Sequence, residues 1–366
     1  MDHTTNTPHD AEVLDRDVDD LALDEDREFD EDDAIEEFDP FEGLSDEEID
    51  AMADAEDAAS NLGLVAGDTP EGFRSGFVAL VGRPNAGKST LLNACMGSKV
   101  AITSPVAQTT RRRMRAIVER DGYQLVFVDT PGIHKPKDGL GSELNRSALA
   151  ELSDVDVVAF LIDASVPIGR GDEWIAERVR ASHATKILVL TKADKVDQTA
   201  MMVQLDRARE LVDFDDMIVV SSTEHFNVEP FIELVSEHLP AGPRWFPKGM
   251  DTDTDDATLV AEFVREKVLL RTREEVPHSV GVVCDAFERT RKLVRAHATV
   301  YVEREGQKGI LVGRRGEMIK HIGTDARRDL ERLFGRKVFL ALDVRVQRGW
   351  RDDEREIRRM GYAFEE

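Results

Sequence analysis

Short apolar runs alternate with amphipathic stretches between residues 76 and 240. The runs are rich in Val and Ile, and the stretches between them carry apolar residues at helical spacing. This alternation is typical of a mostly parallel sheet with helices on both faces, and such sheets bind ligands at the carboxyl ends of their strands. The predicted strands are residues 77–81, 115–118, 125–128, 155–162, 187–190 and 218–220.

A different order of elements follows residue 256. The pattern predicts a helix, two strands, a helical region with a Gly-rich connection, and a last strand, at residues 259–270, 279–285, 298–303, 310–334 and 338–346. Residues 241–256 combine Pro, Gly and alternating Asp and Thr, which is typical of a linker. We therefore expect an α/β domain at residues 73–240 and a smaller α+β domain at residues 257–366.

Residues 1–70 differ from the rest of the chain in charge. They contain 27 Asp or Glu and two Arg, a net charge of −25, which leaves −1 of the total −26 for residues 71–366. The segment also has too little apolar content to offset the entropy cost of ordering, so we expect a disordered acidic extension. It would be either a solubilising segment or a mimic of a phosphate backbone that competes for a basic surface. No run approaches the roughly 18 apolar residues of a membrane span, and no signal peptide is evident, so a cytoplasmic protein is expected.

A glycine-bounded loop joins the first predicted strand to a helical stretch. Backbone N–H groups of such a loop converge on phosphate oxygens, so the segment is predicted to bind a nucleoside triphosphate. Lys88 would reach the β- and γ-phosphates, and Ser89 would ligate Mg²⁺. An ordinary strand-to-helix turn is the alternative. The loop, which matches GxxxxGK[ST], consists of Gly82, Arg83, Pro84, Asn85, Ala86, Gly87, Lys88 and Ser89.

Asp129-Thr130-Pro131-Gly132 follows the third predicted strand, at the position where a phosphoryl-transfer site needs a carboxylate. Asp129 would hold Mg²⁺ through water, and the N–H of Gly132 would approach the γ-phosphate. The next residue, Ile133, cannot hydrogen-bond an attacking water. We therefore expect slow hydrolysis that relies on the charges of Lys88 and Mg²⁺.

A segment rich in Thr and Arg, residues 105–113, lies between the loop helix and the third strand. Thr110 is the expected Mg²⁺ ligand while the nucleoside triphosphate is bound, with Thr109 as the alternative, and this would make the segment a switch. The arginines at 111–113 are interpreted as a common surface feature without a catalytic role. Contact with RNA or with a lipid surface is open for them.

Two further segments predict which base is bound. Asp194 in Thr191-Lys192-Ala193-Asp194 can accept hydrogen bonds from N1–H and the exocyclic amine of guanine, whereas adenine has no donor at N1. Lys192 would pack along the base, and a surface Lys/Asp pair is the alternative. The segment after the last strand would offer backbone N–H groups to the guanine carbonyl. It consists of Ser221, Ser222 and Thr223.

The second domain carries a concentration of positive charge. Residues 288–351 contain 17 Lys or Arg and eight Asp or Glu, a net charge of +9, which is typical of nucleic-acid binding. A GxxG loop at residues 313–316 lies within it, and KH domains use such a loop to clamp a sugar-phosphate strand. Apolar residues at 310, 312, 319 and 322 would line a groove for bases or pack in the core. The predicted RNA-binding residues are Lys308, Gly313, Arg314, Arg315, Gly316 and Lys320.

Taken together, the nucleotide motifs resemble those of the Era family within the TrmE-Era-EngA-like P-loop GTPases. Residues 308–334 and 349–362 look like the type II KH domain and closing helix of that family, and the resemblance covers residues 75–366. Two residues depart from the family pattern. Thr191 replaces the usual Asn and removes a side-chain amide that would brace the phosphate loop, and Ser222 replaces the usual Ala.

The family resemblance implies a GTPase switch that binds the 3′ end of 16S rRNA through its KH domain and assists assembly and maturation of the 30S subunit. It also implies peripheral association with the inner face of the cell membrane, without an obligate protein partner. In relatives with the same Gly-Arg-Pro-Asn start the Asn ligates K⁺, so Asn85 is predicted to do so and to make turnover K⁺-stimulated. Two other functions stay open: an RNA chaperone with a structural nucleotide site, and a membrane-associated signalling GTPase.

Overall fold

The structure is a computed structural model, and it describes residues 69–106, 109–112, 114–129, 138–152 and 154–362. The predicted acidic extension therefore lies outside the described residues, except for its last two positions. Across the described ranges, no helix is both long and apolar enough to cross a membrane.

A six-stranded sheet forms the centre of the first domain. Its strand order is β2-β3-β1-β4-β5-β6, and every neighbouring pair is parallel except β2 and β3. All six strands predicted from the apolar runs are confirmed, with ends shifted by a few residues. The strands are β1 (Arg74–Gly82), β2 (Met114–Arg120), β3 (Tyr123–Asp129), β4 (Val157–Asp163), β5 (Thr185–Thr191) and β6 (Asp216–Val219).

Helices cover both faces of this sheet. Along β1, Val78 and Leu80 point into one apolar core while Ala79 and Val81 point into the other. Because side chains alternate between faces, a strand buried on both sides reads as one continuous apolar run. The helices described here are α1 (Lys88–Met96), α2 (Gly139–Glu151), α3 (Arg170–Ala181), α4 (Gln198–Arg209) and α5 (Val228–Glu237).

The second domain contains a three-stranded mixed sheet. Its central strand is antiparallel to the first and parallel to the third: β7 (Gly281–Arg289), β8 (Leu293–Val302) and β9 (Lys337–Val346). The apolar residues of β8 at even positions from Val294 to Val302 form a core with four helices. The helices of this domain are α6 (Asp256–Arg271), α7 (Val276–Ser279), α8 (Glu305–Val312), α9 (Glu317–Phe334) and α10 (Glu354–Arg359), of which α6, α7, α8 and α9 enter that core.

The segment predicted as a linker, residues 241–256, is bonded along the edge of the six-stranded sheet. Thr252 pairs with Ala116 of the edge strand β2. The backbone N–H of Ile117, on the same strand, donates to Asp251 O at 2.9 Å. On the neighbouring strand β3, the side-chain oxygen of Gln124 accepts hydrogen bonds from the backbone N–H groups of Trp245 at 2.9 Å and Phe246 at 3.0 Å. The connection therefore covers backbone groups that an edge strand would otherwise leave unpaired.

Candidate nucleotide site and GxxG surface

The glycine-bounded loop has the predicted place between β1 and α1. A Cβ atom on Gly82 would lie 2.5 Å from the carbonyl oxygen of Leu161, so glycine alone fits beside β4. Gly87 precedes the helix with a left-handed φ of 96°. The ammonium of Lys88 lies 3.0 Å from the carbonyl oxygen of Gly82 and 3.2 Å from that of Arg83. A cation thus lies beside the free N–H groups of a helix start, which suits a phosphate.

Burial dominates the electrostatics of Lys88. It lowers the pKa of the ammonium from 10.5 to about 8, although the nearby carboxylate of Asp129 opposes the shift. Asp129 is fully buried, and burial raises its pKa, although Lys88 and the hydroxyls of Ser89 and Thr110 oppose the change. An anionic phosphate would stabilise the charged form of Lys88, and a bound cation would stabilise the charged form of Asp129.

Three oxygen atoms converge at the predicted Mg²⁺ position. Ser89 Oγ lies 3.0 Å from Thr110 Oγ1 and 2.9 Å from Asp129 Oδ2, and Thr110 Oγ1 lies 3.2 Å from the same carboxylate oxygen. Among the described residues, Asp129 Oδ1 is buried without a hydrogen-bond partner. Mg²⁺ prefers hard oxygen ligands, so these residues fit the ion. Thr109 instead donates its hydroxyl to Val106 O at 2.7 Å, and the geometry favours Thr110.

Four residues predicted to lie near the γ-phosphate follow Asp129 directly. Thr130, Pro131, Gly132 and Ile133 lie outside the described residues. Their roles, including the N–H of Gly132 toward the γ-phosphate, stay predictions.

Thr191 corrects an expectation from the sequence. Its hydroxyl lies 2.7 Å from Ala86 O and 3.2 Å from Ile162 O. The hydroxyl therefore braces the phosphate loop although the amide of the usual Asn is absent. A short side chain reaches because Thr191 is in close contact with the loop: a Cβ atom on Gly87 would lie 3.7 Å from it.

The predicted guanine-binding residues meet at the carboxyl ends of β5 and β6. Asp194 is exposed, and one of its oxygens accepts a hydrogen bond from Ser221 Oγ at 2.6 Å. The N–H of Ala193 donates to Val220 O at 3.2 Å, which joins the two loops. Ser222 is half-buried and Thr223 exposed beside them.

Lys192 occupies the other side of this loop. Its backbone is left-handed, with φ of 60°, and its ammonium lies 2.5 Å from Asp163 Oδ2. Burial opposes ionisation of Asp163, but hydrogen bonds from Lys192 and Ser165 lower the pKa of that carboxyl. The ion pair fixes the direction of the Lys192 stem.

Asn85 and Arg83 connect the loop to its neighbours. Asn85 has a left-handed φ of 65°, and its side-chain N–H donates to Pro105 O at 2.9 Å, so the side-chain carbonyl oxygen is the atom suited to a cation. Arg83 forms a 3.0 Å ion pair with the buried carboxylate of Asp172 on α3.

A cleft of about 520 Å³ links the phosphate loop to the switch segment and the guanine loop. This volume falls within the usual range for small-molecule sites. Its lining includes Pro84, Asn85, Gly87, Lys88, Ser89, Thr109, Thr110 and Lys192.

On the second domain, the GxxG loop joins α8 to α9. Gly313, Arg315 and Gly316 all have left-handed or positive φ, of 72°, 52° and 81°. A Cβ atom on Gly313 would lie 2.7 Å from Met318 Cβ, so the turn requires glycine there. Arg314 is exposed together with Arg315.

Side chains around the loop separate into a surface set and a core set. Lys320 is exposed and Lys308 is half-buried. Ile310 is 52% exposed, whereas Ile322 is fully buried in the core. Core packing is therefore confirmed for Ile322, whereas the groove for bases stays a prediction, which the exposed position of Ile310 beside a basic loop suits.

The interpretation of Arg111 and Arg112 as ordinary surface arginines is wrong. Arg111 is 3% exposed and donates to the carbonyl oxygens of Pro277 at 3.2 Å and His278 at 3.1 Å. Arg112 donates to Thr258 Oγ1 at 2.9 Å and to Met360 O at 2.7 Å. The switch arginines are thus inserted into the second domain, whereas Arg113 lies outside the described residues. No sequence signal connects positions so far apart.

The start of α2 also contacts the second domain. Arg351 forms a 3.0 Å ion pair with Asp138, and the N–H of Gly139 donates to Asp352 Oδ1 at 3.0 Å. Behind these polar contacts lies an apolar cluster shared by α2 and the C-terminal segment. It contains Leu140, Leu144, Tyr301, Trp350, Ile357, Met360 and Tyr362.

Both domains are similar to known proteins. A family model described as a 50S ribosome-binding GTPase matches residues 77–192, and a KH-domain model matches residues 275–351. Two solved structures are each 35% identical, with a TM-score of 0.77, over 80% of this chain and 100% of theirs. One is an Era variant from Aquifex aeolicus bound to GDP·AlF₄⁻. The other is Era in complex with MgGDPNP and nucleotides 1506–1542 of 16S ribosomal RNA.

Proposed function

The chain belongs to the Era family of GTPases, and from this we propose that it binds and hydrolyses GTP with Mg²⁺ and binds the 3′ end of 16S rRNA through its KH domain. In this role it assists assembly and maturation of the small ribosomal subunit. The observation that carries the proposal is the convergence of Ser89, Thr110 and Asp129 beside the buried ammonium of Lys88.

Each residue of the site has a distinct task in phosphoryl transfer. Lys88 and the loop N–H groups hold the phosphates, and Asp194 selects guanine by accepting its two donors. Ser89 and Thr110 would ligate Mg²⁺ directly, and Asp129 would do so through water. Mg²⁺ supplies neutralisation of the charge that develops on the phosphates. Ser221 keeps the carboxylate of Asp194 in place.

We further propose that the nucleotide controls RNA binding through the contacts of the switch segment. Thr110 faces the Mg²⁺ position, while the next two residues, Arg111 and Arg112, are bonded to the second domain. A change at Thr110 between GTP and GDP is therefore transmitted to the KH domain through two adjacent peptide units. GTP favours a domain arrangement that leaves the GxxG surface open to RNA, and hydrolysis reverses it.

Hydrolysis and RNA binding can be measured on the same protein. We expect Mg²⁺-dependent GTP turnover that Lys88→Ala abolishes, and binding of a 16S 3′-end fragment that is tighter with GDPNP than with GDP. Arg314→Ala with Arg315→Ala should weaken RNA binding, whereas the matched double variant at exposed Arg207 and Arg209, on α4 of the first domain, should not. Absence of GTP turnover in the wild-type protein would refute the proposed GTPase activity. Subunit assembly that survives Lys88→Ala would favour an RNA chaperone with a structural nucleotide site.

The proposal includes a K⁺ site at Asn85. The side-chain N–H of Asn85 is engaged by Pro105, which leaves the carbonyl oxygen as the ligand atom. With Ile133 in place of a residue able to orient water, a second cation beside the phosphates would supply part of the missing electrostatic stabilisation. Peripheral membrane association stays a prediction of the sequence alone.

A further inference from the structure

Three consecutive residues of the switch segment, Thr109, Thr110 and Arg111, divide their contacts between the two domains. Thr110 alone directs its side chain to Ser89 and Asp129. The carbonyl oxygen of Thr109 accepts a hydrogen bond from Arg265 of α6, and Arg111 on the other side is held by α7. The chain is therefore attached to the second domain on both sides of Thr110, through the backbone carbonyl of Thr109 and through the side chain of Arg111.

Arg265 is fixed by its surroundings. It is fully buried, its Nε lies 3.1 Å from Glu262 Oε1, and its Nη2 lies 2.5 Å from Glu262 Oε2. Burial opposes ionisation of Glu262, but Arg265 and then Arg112 hold the pKa of that carboxyl below its usual range. A bidentate pair of this kind leaves the guanidinium little freedom of orientation. The N–H that reaches Thr109 is thereby aimed at a defined point.

The position of the Thr109 carbonyl sets the position of Thr110. The two residues share a planar peptide unit, so a displaced carbonyl rotates the N–Cα bond from which the Thr110 side chain projects. A misplacement of about 1 Å is enough to remove a metal ligand or to lower turnover substantially. Holding the carbonyl is therefore a way of holding the hydroxyl.

We propose that Arg265 is a positioning residue of the GTPase site, supplied by the RNA-binding domain. It keeps Thr110 at the Mg²⁺ and γ-phosphate position through the carbonyl of Thr109. The inference rests on the proposed function and deepens it, since it makes the triphosphate state depend on a residue outside the first domain. GDP, which has no γ-phosphate, does not need Thr110 and so does not need Arg265.

A purely structural role for this buried pair would have other consequences. Removing one partner of a buried ion pair leaves an uncompensated charge and destabilises the whole fold. Such a loss lowers GTP and GDP affinity together. A positioning role affects the triphosphate state and its Mg²⁺ requirement selectively.

The experiment uses the full chain with Arg265→Met, Arg265→Lys and the control Arg271→Met. Arg271 lies on the same helix and pairs with Asp325 at 2.8 Å, away from the switch. Affinities for GDPNP and GDP are measured over a Mg²⁺ titration, together with GTP turnover. For Arg265→Met we expect GDPNP affinity and the Mg²⁺ midpoint to worsen about tenfold, as for a lost hydrogen bond to a charged group, with GDP affinity changed less than twofold. Arg265→Lys, whose ammonium keeps the charge but lacks the planar fork of the guanidinium, should be intermediate.

Glu262→Gln provides the test if Arg265→Met fails to fold, because it keeps the side-chain shape while weakening the pair that orients Arg265. A smaller selective loss of GDPNP affinity in this variant supports the proposal. Equal losses for GDPNP and GDP, or no loss for either, overturn it. A wild-type protein without GTP turnover would refute the proposed function itself, whereas normal wild-type turnover with an unaffected Arg265→Met protein would refute only the role of Arg265.

Discussion

Lys88 makes the stability of the nucleotide-free protein depend on pH in a defined direction. Burial lowers the pKa of its ammonium from 10.5 to about 8, against the opposing charge of Asp129. Between these two values the unfolded chain binds more protons than the folded chain. The free energy of unfolding therefore rises as the pH increases from about 8 toward 10.5, and the penalty of the buried charge is fully present below pH 8.

The two pKa values give the magnitude. Integrated from about pH 7.5 to about pH 9.5, the titration of Lys88 raises the free energy of unfolding by about 2 kcal/mol. Two thiols act in the opposite direction, because burial raises the pKa of Cys95 to about 12 and that of Cys284 to about 11. Lys88→Met removes the ammonium and keeps the length of the side chain. The contribution of the two thiols is the same in both proteins, so it cancels when the pH-dependent change in the free energy of unfolding is compared between wild type and variant.

Urea denaturation at the two pH values measures this difference. The nucleotide-free wild type should gain about 2 kcal/mol more than Lys88→Met on going to the higher pH. Lys248→Met, at an exposed position on the connecting segment, should show the wild-type pH dependence. An identical pH dependence in wild type and Lys88→Met would refute the reasoning, as would a wild type that loses stability relative to the variant.

Three further predictions concern the guanine loop, the K⁺ ligand and the GxxG loop. Asp194→Asn should weaken GTP binding about tenfold or more. It should also improve binding of xanthosine triphosphate, because xanthine carries an acceptor where guanine carries its amine. An unchanged base preference in a competition assay would exclude the role of Asp194 in guanine recognition. Asn85→Gly keeps the left-handed backbone and removes the ligand oxygen, so turnover at matched ionic strength should become equal in K⁺ and Na⁺. Wild-type turnover that is already equal in both salts would contradict the K⁺ site. Gly313→Ala should lower rRNA affinity about tenfold without changing GTP turnover in the absence of RNA, since the added Cβ would collide with Met318. In the control Gly309→Ala the added Cβ meets no atom within 4 Å, so this variant should bind RNA normally. Equal rRNA affinity of the two variants would count against a role of the GxxG loop in clamping RNA.

The elements that the sequence predicts best are those with local causes. The strand Arg74–Gly82 is buried on both faces and reads as an apolar run, and the turn after it needs glycine at Gly82 and Gly87. The positions of Asp129 and Asp194 follow, because parallel strands bring their carboxyl ends to one edge of the sheet. For these residues the chemistry could be predicted before the geometry.

Features that depend on tertiary distances could not be predicted in this way. The substitution at Thr191 predicts a lost brace, yet its hydroxyl reaches Ala86 O because the loop passes close to β5. Arg111 has the composition of a surface arginine, but the fold brings the carbonyls of α7 to it from more than 160 residues away. Packing of residues 241–256 along β2 likewise depends on which strand lies at the edge.

The proposed function couples nucleotide state to RNA binding through the switch contacts with the second domain. The most direct test titrates GDPNP into the protein with and without a saturating 16S 3′-end fragment, and titrates the fragment into nucleotide-free and GDPNP-bound protein. Linkage requires RNA to tighten GDPNP binding by the same factor by which GDPNP tightens RNA binding, and we predict a factor above five. Affinities that are independent of the second ligand in both titrations would rule out this coupling.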